Sequence, residues 1–401
     1  GFGWRWIICV KGGIGSVVDR RARAMESLAM TETPIQPASL RKAFSDKSVL
    51  VTGHTGFKGA WLCLWLYRLG AHVSGYSIDV PTTPSLFDAG QIGALLAEDQ
   101  RGDITDPQAV HSLIREVQPD VIFHLAAQSL VRRSYEDPIQ TMATNVMGTI
   151  TLLDAVRQTG RPCSIVIVTS DKCYENTGQV WGYREADPLG GHDPYSASKA
   201  MAEIAAATYR RSFFPVRMLS DHGIGLATVR SGNVLGGGDW SQDRIAVDLV
   251  KGFANGEVVT VRNPRSIRPW QHVLDPLLGY LTVAAGLQTG GTGAGKYCSE
   301  WNFGPSSGQS VDVGRLAKMF AKGWGRGAEV IETMSVNAPA EAAVLRLAID
   351  KAVVNLGWSP RWDVDETVAR TVSWYKRVLC EGADAQACCL SDLEAHEQLA
   401  D

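Results

Sequence analysis

A glycine-rich loop joins the first apolar segment of the regular part of the chain to the first helical one. Residues 48–52 read SVLVT, the loop GHTGFKG follows, and AWLCLWLYRLG continues with apolar residues at helical spacing until Gly70. Glycines in such a loop permit a tight turn and let a pyrophosphate approach the N-terminus of the helix. The fold must therefore contain a strand, a glycine loop and a helix in that order.

The alternation of strand and helix patterns continues to residue 230. Apolar strand patterns occur in AHVSGYSID (71–79), PDVIFHLAAQ, CSIVIVTS and LATVR (226–230), and helical periodicity occurs in HSLIREVQ, MATNVMGTITLLDAVRQTG and SASKAMAEIAAATYRR. Nearly continuous apolar strands that alternate with helices are typical of a parallel sheet covered on both faces. The sequence therefore predicts an α/β fold with a Rossmann-type, doubly wound parallel sheet.

The composition argues against several classes of protein. The chain has 401 residues and a formal net charge of -3, and its scattered Lys and Arg residues give no sign of a nucleic-acid or anionic-membrane partner. No apolar stretch approaches the ~20 residues that span a bilayer. The eight cysteines form no CxxC pair and no metal-type spacing, which favours a reduced, cytoplasmic setting and predicts no metal site.

The glycine loop and the second strand together predict a dinucleotide site. Asp79 ends that strand 20 residues after Gly59, where a carboxylate accepts hydrogen bonds from the adenosine ribose and repels a 2′-phosphate. NAD is therefore favoured over NADP, although a cation at Lys58 argues the other way. The loop residues expected to contact the cofactor are Gly53, Thr55, Gly56, Phe57, Lys58 and Gly59.

Further cofactor contacts are expected at the ends of later strands. Asp103 and Ile104 either flank the adenine or belong to a loop in which Asp106 caps the next helix. Asn145 is either a satisfied amide within its helix or the holder of a water in a proton relay. The strand end expected beneath the nicotinamide comprises Leu125, Ala126, Ala127 and Gln128.

The stretch from Val166 to Lys199 contains a cluster of catalytic character. Ser170, Asp171 and Lys172 precede a Tyr195-x-x-x-Lys199 pair. A Tyr and a Lys four residues apart share a helix face, so an ammonium can lower the phenol pKa from about 10 and make it a usable base. Oxidation of an alcohol needs only this pair, whereas the additional acid and base suggest that a group is also eliminated. Alternatively, Lys172 is a loop cation paired with Asp171.

Several motifs together resemble a known family. TGHTGFKG, HLAAQ, TNVMGT, TSDKCY and PYSASK resemble the extended short-chain dehydrogenases/reductases of the nucleotide-sugar group. WGYRE, GGHDPYS, RSGNVLGGGDW, RNPRSIRPWQHVLDP, WNFGP and LGWSPRW are similar, in that order, to segments of the CDP-glucose 4,6-dehydratase family. The resemblance runs from about Ser48 to about Lys376. It implies bound NAD, contacted also by Tyr195 and Lys199, and a homodimer or homotetramer formed through the helices that hold Asn145 and Tyr195.

The resemblance implies that CDP-glucose is converted to CDP-4-keto-6-deoxyglucose and water, an early step toward deoxy sugars of cell-surface polysaccharide. Tyr195, helped by Lys199 and Ser170, is expected to take the C4 hydroxyl proton while hydride passes to NAD. Asp171 is expected to protonate the departing C6 hydroxyl before hydride returns to C6. Lys172 occupies the position of the glutamate that removes the C5 proton in most sugar dehydratases, and is expected to act directly or through water.

The resemblance also implies a substrate site. Asn233, Arg244 and Arg268 are expected around the pyrophosphate, and their alternatives are a turn residue and two solvated charges. Gln128 and Ser129 are expected to reach glucose hydroxyls. His272 is expected near the substrate or, together with Asp275, as a brace of its loop. The aromatic residues expected in the core are Trp181, Tyr183, Trp240 and Trp270.

The expected organisation has four parts. Residues 1–44 are expected to be a poorly ordered extension, 45–235 the NAD-binding domain, to which segments around 266–300 return, 236–380 a smaller α+β region for the sugar nucleotide, and 381–401 a tail. Relatives tend to have Pro-His-Glu where this chain has Pro339, Ala340 and Glu341. That difference puts base or sugar specificity in question.

Two other functions remain compatible with the sequence. An NDP-sugar epimerase or reductase of the same fold would use Tyr195 and Lys199 but would not need Asp171 and Lys172 as an acid and a base. A non-catalytic NAD-binding regulatory protein is the third candidate. An intact set of Ser170, Tyr195 and Lys199 argues against it.

Overall fold

A seven-stranded parallel sheet lies at the centre of the protein. The computed structural model describes residues 37–289, 291–306, 308–309, 311–325, 327–333 and 345–399. The strands of the central sheet are β1 (Ser48–Thr52), β2 (His72–Ser77), β3 (Glu98–Arg101), β4 (Val121–His124), β5 (Cys163–Val168), β6 (Ile224–Ser231) and β11 (Glu300–Phe303). Their order is β11-β6-β5-β4-β1-β2-β3. The chain therefore winds outward from β1 to one edge and continues from β4 to the other, which places a crevice between the carboxyl ends of β1 and β4.

Helices flank this sheet and extend beyond it. In chain order they are α1 (Pro37–Phe44), α2 (Phe57–Arg68), α3 (Leu86–Ala89), α4 (Pro107–Val117), α5 (Val131–Glu136), α6 (Pro138–Met142), α7 (Gly148–Thr159), α8 (Pro194–Ser212), α9 (Leu219–His222), α10 (Ile245–Ala254), α11 (Leu274–Leu287), α12 (Gly291–Ala294), α13 (Val313–Trp324), α14 (Asp350–Leu356), α15 (Val364–Cys380) and α16 (Ala385–Gln398). A π-helical turn, Ala143–Met147, precedes α7, and 3₁₀ turns occupy Ile92–Leu95, Asp171–Cys173, Val216–Met218 and Gly295–Tyr297.

Both faces of the sheet are buried, as the continuous apolar strands predict. Val49 and Val51 of β1 belong to one apolar cluster, whereas Leu50 between them belongs to a cluster on the opposite face. The same alternation occurs in β5, where Val166 joins the first cluster and Ile165 the second. Successive side chains of a strand point to opposite faces, so each strand contributes to two cores. The predicted α/β fold with a Rossmann-type doubly wound sheet is confirmed.

The chain after β6 forms shorter strands around the carboxyl end of the sheet. They are β7 (Val234–Leu235), β8 (Val258–Val261), β9 (Ile267–Arg268), β10 (Gln271–His272), β12 (Val311–Asp312) and β13 (Glu329–Glu332), and they pair as β7 with β10, β8 with β13 and β9 with β12. The chain then returns to the central sheet through α11, which packs on β5 and β6, and through β11, which pairs with β6. These excursions bring residues 232–272 to the strand ends.

Both ends of the described chain belong to the fold, which corrects two expectations. Residues 37–44 form α1, in which Leu40 and Phe44 are buried. The expected tail contains α16, whose Leu393 and His396 are fully buried. The apolar side chains of both segments lie at helical spacing, and the contacts that bury them are long-range. Residues 1–36 lie outside the described residues.

The structure confirms most of the expected buried aromatic residues and adds one strand that the sequence did not predict. Tyr183, Trp240 and Trp270 are buried, as expected, whereas Trp181 is 63% exposed in the loop before α8. Strand β3, EDQR, was not predicted because an exposed edge strand has no apolar pattern. The sequence difference at 339–341 lies outside the described residues. Within the described ranges, no helix is both long and apolar enough to cross a membrane.

Candidate active site

The glycine loop after β1 has the geometry of a phosphate cradle. Gly53 has a φ of +74°, and a Cβ there would lie 2.6 Å from the backbone nitrogen of Ala126. A Cβ on Gly59 would lie 2.2 Å from the carbonyl oxygen of Gly53. Gly56 precedes α2 as its N-cap and contributes no side-chain hydrogen bond. The backbone therefore packs closely against the loop at both glycines. The helix that follows begins with backbone N–H groups that a pyrophosphate can bind.

The end of β2 completes a site that fits NAD. Asp79 is exposed, and Thr55 Oγ1 in the loop donates to its backbone oxygen at 2.6 Å. Lys58 does not oppose this assignment, because its Nζ donates to Ser231 Oγ at 2.8 Å and lies 3.5 Å from the Tyr280 hydroxyl. The ammonium thus points inward beneath the strand ends. Burial lowers the pKa of Lys58 to about 7.

His54 anchors the glycine loop to the sheet and was not predicted. Its Nδ1 lies 2.9 Å from Ser77 Oγ, and its Nε2 lies 2.8 Å from Asp99 Oδ1. The ring occupies the space above Gly75, where a Cβ would lie 2.3 Å from the imidazole. The sequence signal is the glycine inside β2. Its meaning depends on a neighbour that is distant in sequence.

The predicted contacts on the adenine side and beyond it are only partly available to a ligand. Asp103 is half-buried, and its Oδ1 accepts hydrogen bonds from Thr105. Ile104 is 5% exposed and packs in the apolar core, so its side chain is not free to flank a base. Phe57, in the first turn of α2, and the strand-end residues Leu125, Ala126 and Ala127 are half-buried.

Asn145 and Gln128 hold each other in place. The Asn145 side chain accepts from the Gln128 backbone N–H at 2.8 Å and donates to the Gln128 carbonyl at 3.0 Å and to Ser198 Oγ at 2.8 Å. The Gln128 side chain donates to the Leu130 carbonyl and to Thr141 Oγ1. Of the two interpretations of Asn145, the geometry supports the satisfied amide. The Gln128 amide is bound to protein groups rather than directed at a sugar.

The chain after β5 turns sharply and buries an acid. Ser170 caps the 3₁₀ turn Asp171–Cys173 by accepting the Lys172 N–H at 3.2 Å, and donates to Asp171 Oδ1 at 3.0 Å. Asp171 is 2% exposed, and its Oδ2 has no hydrogen-bond partner among the described residues. Burial raises the pKa of Asp171, against the opposing effects of Lys172, Ser170, Lys58 and Arg268. The carboxyl group is therefore disposed to hold a proton at the site.

Tyr195 lies in the first turn of α8, opposite Ser170. Asp193 caps this helix by accepting from the Ser196 N–H at 2.9 Å, and Pro194 occupies its first position, as predicted. Burial raises the pKa of Tyr195 to about 12, and a hydrogen bond with Ser170 and the charge of Arg244 oppose that rise. Ser170 and Arg244 thus favour the ionised phenol, whereas burial and the charges of Asp171 and Asp193 disfavour it.

Lys199 lies one turn further along α8. Its Nζ donates to the Val168 carbonyl at 3.3 Å, at the end of β5. Burial lowers the pKa of Lys199 to about 8. The effect of Lys199 on the phenol pKa stays a prediction, and in this structure burial is the largest influence on the Tyr195 pKa, which it raises. Lys172 is half-buried and extends from the same turn as Asp171.

Four of the predicted substrate residues lie near the strand ends: two arginines, an asparagine and a serine. Arg244 acts electrostatically on Tyr195, and Arg268, which is 8% exposed, acts on Asp171, so both cations belong to the site. Asn233 is half-buried beside Gly232, and a Cβ on that glycine would lie 2.8 Å from Asp171 Oδ2. Ser129 is exposed at the end of β4.

His272 does not belong to this site. It is fully buried, and its ring lies 4.6 Å from that of Trp362 and 6.1 Å from that of Trp61. Nearby, His396 of α16 contacts Asp275 at 2.9 Å. Its full burial beside these aromatic rings does not support a substrate role for His272. The alternative, a brace within its segment, agrees with its position.

Comparison with known proteins identifies the family. The sequence matches the GDP-mannose 4,6 dehydratase family over residues 50–371. The chain belongs to this family. A CDP-glucose 4,6-dehydratase of Salmonella typhimurium is 49% identical over 345 residues, which are 86% of this chain and 94% of that protein.

Solved structures of other sugar-nucleotide enzymes share the fold. A UDP-glucose 4-epimerase of Thermotoga maritima, in complex with UDP-glucose, has a TM-score of 0.71 and 20% identity over 82% of this chain and 99% of that chain. A dTDP-glucose 4,6-dehydratase of Streptomyces venezuelae, with NAD bound, has a TM-score of 0.66 and 24% identity over 82% and 97%. These likenesses show that the chain shares the fold of these enzymes.

Replacement of Gly53 tests the close packing of the loop. We expect Gly53→Ala to lose NAD binding and to lower the free energy of unfolding by more than the about 1 kcal/mol that a left-handed alanine costs. Gly160→Ala is the matched control, since Gly160 has a φ of +62° with nothing within 4 Å of its added Cβ. Urea unfolding and NAD titration by tryptophan fluorescence measure both effects. Equal behaviour of the two variants would show that the contact with Ala126 is unimportant.

Proposed function

We propose that the protein is a cytoplasmic, NAD-dependent hydro-lyase that converts CDP-glucose to CDP-4-keto-6-deoxyglucose and water. The identity of 49% with a CDP-glucose 4,6-dehydratase, over nearly the whole of that protein, supports the substrate. Cysteines that remain free, including the exposed Cys380, support the compartment. The ketone product would enter the synthesis of deoxy sugars for cell-surface polysaccharide.

One observation carries the reaction type: a buried carboxyl group lies within the oxidation site. Asp171 receives a hydrogen bond from Ser170, which also bonds to Tyr195, and burial raises the pKa of Asp171. A sugar epimerase needs a base for one hydroxyl group and no acid for a leaving group. A carboxyl group whose pKa is raised by burial is suited to protonate a departing hydroxyl.

The first stage is oxidation at C4. NAD, when bound, would supply the acceptor for the C4 hydride and its source for the return to C6. Tyr195 Oη takes the proton of the C4 hydroxyl, and Ser170 and Arg244 favour the ionised phenol. Lys199 contributes a buried positive charge on the same helix. Asp79 and the loop from Gly53 to Gly59 would hold the cofactor at the crevice.

The second stage is loss of water across C5 and C6. The C4 ketone acidifies the C5 hydrogen, and Lys172 assists its removal directly or through water. Asp171 gives its proton to the departing C6 hydroxyl, because burial keeps the protonated form available. Hydride return to C6 then completes a reaction with no net change in oxidation state.

The diphosphate of the substrate would bind between the cations near the strand ends. Arg244 lies at the start of α10, and its charge lowers the pKa of Tyr195. Arg268 lies in β9, and its charge lowers the pKa of Asp171. Guanidinium groups bind diphosphate oxygens in bidentate geometry. Asn233, in the segment between them and β6, and Ser129 after β4 complete the predicted contacts.

A substrate panel tests this proposal. We expect CDP-glucose to be converted to a product lighter by one water, and dTDP-, GDP- and UDP-glucose to be converted much more slowly, when each is mixed with purified protein and NAD. Mass spectrometry detects the loss of water. Preference for another nucleotide would correct the substrate, and unchanged mass for all four would overturn the dehydratase assignment.

Asp171→Asn separates the two stages. We expect hydride exchange between C4 and the cofactor to persist in this variant, while release of water falls at least about a hundredfold because the general acid is lost.

Tyr195→Phe should lose both stages and still bind NAD. In the wild type, elimination should decline as the pH rises through the raised pKa of Asp171, because the proton is then lost.

The control for that experiment is Asp221→Asn, an exposed site on α9. It should leave both measurements unchanged. Equal loss of exchange and elimination in Asp171→Asn would instead assign Asp171 to binding or structure.

We also propose a homodimer formed by the outer faces of the helices around the π turn and of α8, with a homotetramer as its further assembly. Large apolar side chains are exposed there: Ile139, Met147, Met201 and Ile204. We expect Ile204→Glu to sediment as a monomer, because each subunit would bury one carboxylate in the symmetric contact. Val354→Glu, exposed on α14, is the control and should not change the sedimentation coefficient. A wild-type monomer would overturn the proposal.

A further inference from the structure

Glu203 is a buried carboxylate one helical turn beyond Lys199. It is 3% exposed, and both of its oxygens accept hydrogen bonds. Thr169 Oγ1 donates to Oε1, Thr228 Oγ1 donates to Oε2 at 2.7 Å, and the Arg230 guanidinium donates to Oε2 at 2.8 Å. These partners belong to β6 and to the residue that follows β5. Glu203 thus connects α8 to the two strands beside it.

The hydrogen bonds continue around the 3₁₀ turn Asp171–Cys173. Arg230 also donates to the Tyr174 hydroxyl at 2.7 Å, and this hydroxyl donates to Asn302 Oδ1 at 2.7 Å. Thr169 precedes Ser170, and Tyr174 follows the turn that contains Asp171. Both ends of that turn are therefore attached, through Glu203 and Arg230, to the helix that carries Tyr195.

Stability alone does not explain a carboxylate in this position. A buried ion pair is weak evidence for stability, since apolar residues of similar volume often serve as well. Glu203 also acts electrostatically on Lys199, which lies four residues earlier on the same helix face, is 6% exposed and donates to the Val168 carbonyl. An ammonium in this setting needs a compensating anion.

We propose that Glu203 is a positioning residue that keeps Lys199 in its ammonium form and fixes the Tyr195 helix against the Ser170 turn. This inference rests on the proposed function for its consequence in catalysis. Lys199 itself responds to Glu203 independently of any substrate. Burial lowers the pKa of Lys199 and the negative charge of Glu203 raises it.

The other charged or titratable groups around Lys199 do not replace Glu203. Cys173 also acts on Lys199, but burial raises the pKa of its thiol well above the ordinary value, so it stays neutral. His124 is neutral at physiological pH because burial lowers its pKa to about 3. The groups that surround this part of the site are Lys58, His124, Asp171, Cys173, Tyr195 and Arg230.

The sequence contains a signal for this role in the helix that carries Lys199. AMAEIAAA places one carboxylate among small residues on α8, four positions after Lys199. Residues four apart share a helix face, so the anion and the ammonium lie on the same side. Only the structure shows that this side is buried and that Arg230 faces it.

Glu203→Gln tests the inference, because glutamine retains the shape and one acceptor oxygen but not the charge. We expect the pH midpoint for deprotonation of Lys199 to fall by about one to two pH units. Trace acetylation over a pH series, with mass spectrometry of the Lys199 peptide, measures this midpoint without substrate. With CDP-6-deoxyglucose, which has no C6 hydroxyl to eliminate, cofactor reduction should begin to decline at correspondingly lower pH.

A second variant separates charge from structure. Glu203→Gln leaves Arg230 buried without its partner, and the protein is expected to lose stability. Glu203→Gln/Arg230→Gln removes both charges and should recover stability while it keeps the lowered Lys199 midpoint. Recovery of the midpoint together with stability would overturn the inference and assign Glu203 a structural role.

The two proposals can fail separately. A shifted Lys199 midpoint in a protein that converts none of the four sugar nucleotides would retain the role of Glu203 and remove the dehydratase assignment. An unshifted midpoint in a protein that converts CDP-glucose would do the reverse.

Discussion

Burial of the parallel sheet on both faces is the constraint on which the rest of the structure depends. Leu50 and Val51 of β1 face different cores, so no face of the sheet is available to a ligand. The carboxyl ends of the strands are then the place where loops can carry polar groups. The glycine loop, the Ser170 turn and the Asn233 segment all follow strands at this edge. The sheet thus fixes the location of the site before any catalytic residue is considered.

Desolvation at that edge shifts the pKa values of the titratable groups of the site. Burial raises the pKa of Asp171 and of Tyr195, and lowers those of Lys58 and Lys199. Each shift favours the neutral form, so the site needs paired charges to hold any group ionised. Glu203 with Arg230 is such a pair, and their hydrogen bonds reach both sides of the catalytic turn. Burial thus favours a protonated Asp171, and the proposed role of Glu203 is to hold Lys199 in its charged form nearby.

Local sequence was sufficient for features that depend on neighbouring residues. The strand at 48–52, the glycine loop and the Asp193 cap of α8 follow from periodicity, backbone freedom and capping chemistry. Distant contacts decided the rest. The Asn145 side chain is hydrogen-bonded to Gln128 and Ser198, and the Lys58 ammonium donates to Ser231. The exposed strand β3 has no apolar pattern, and its pairing with β2 exists only in three dimensions.

The sequence by itself determined the Rossmann-type sheet, the order of its motifs and the residue types at the strand ends, because these depend on spacing along the chain. The tertiary structure alone decided which of those residues meet. It buried Asp171 beside Ser170, enclosed His272 between aromatic rings, and paired Glu203 with Arg230. The physical reason is that burial and charge pairing are properties of a place. That place is assembled from segments far apart in sequence.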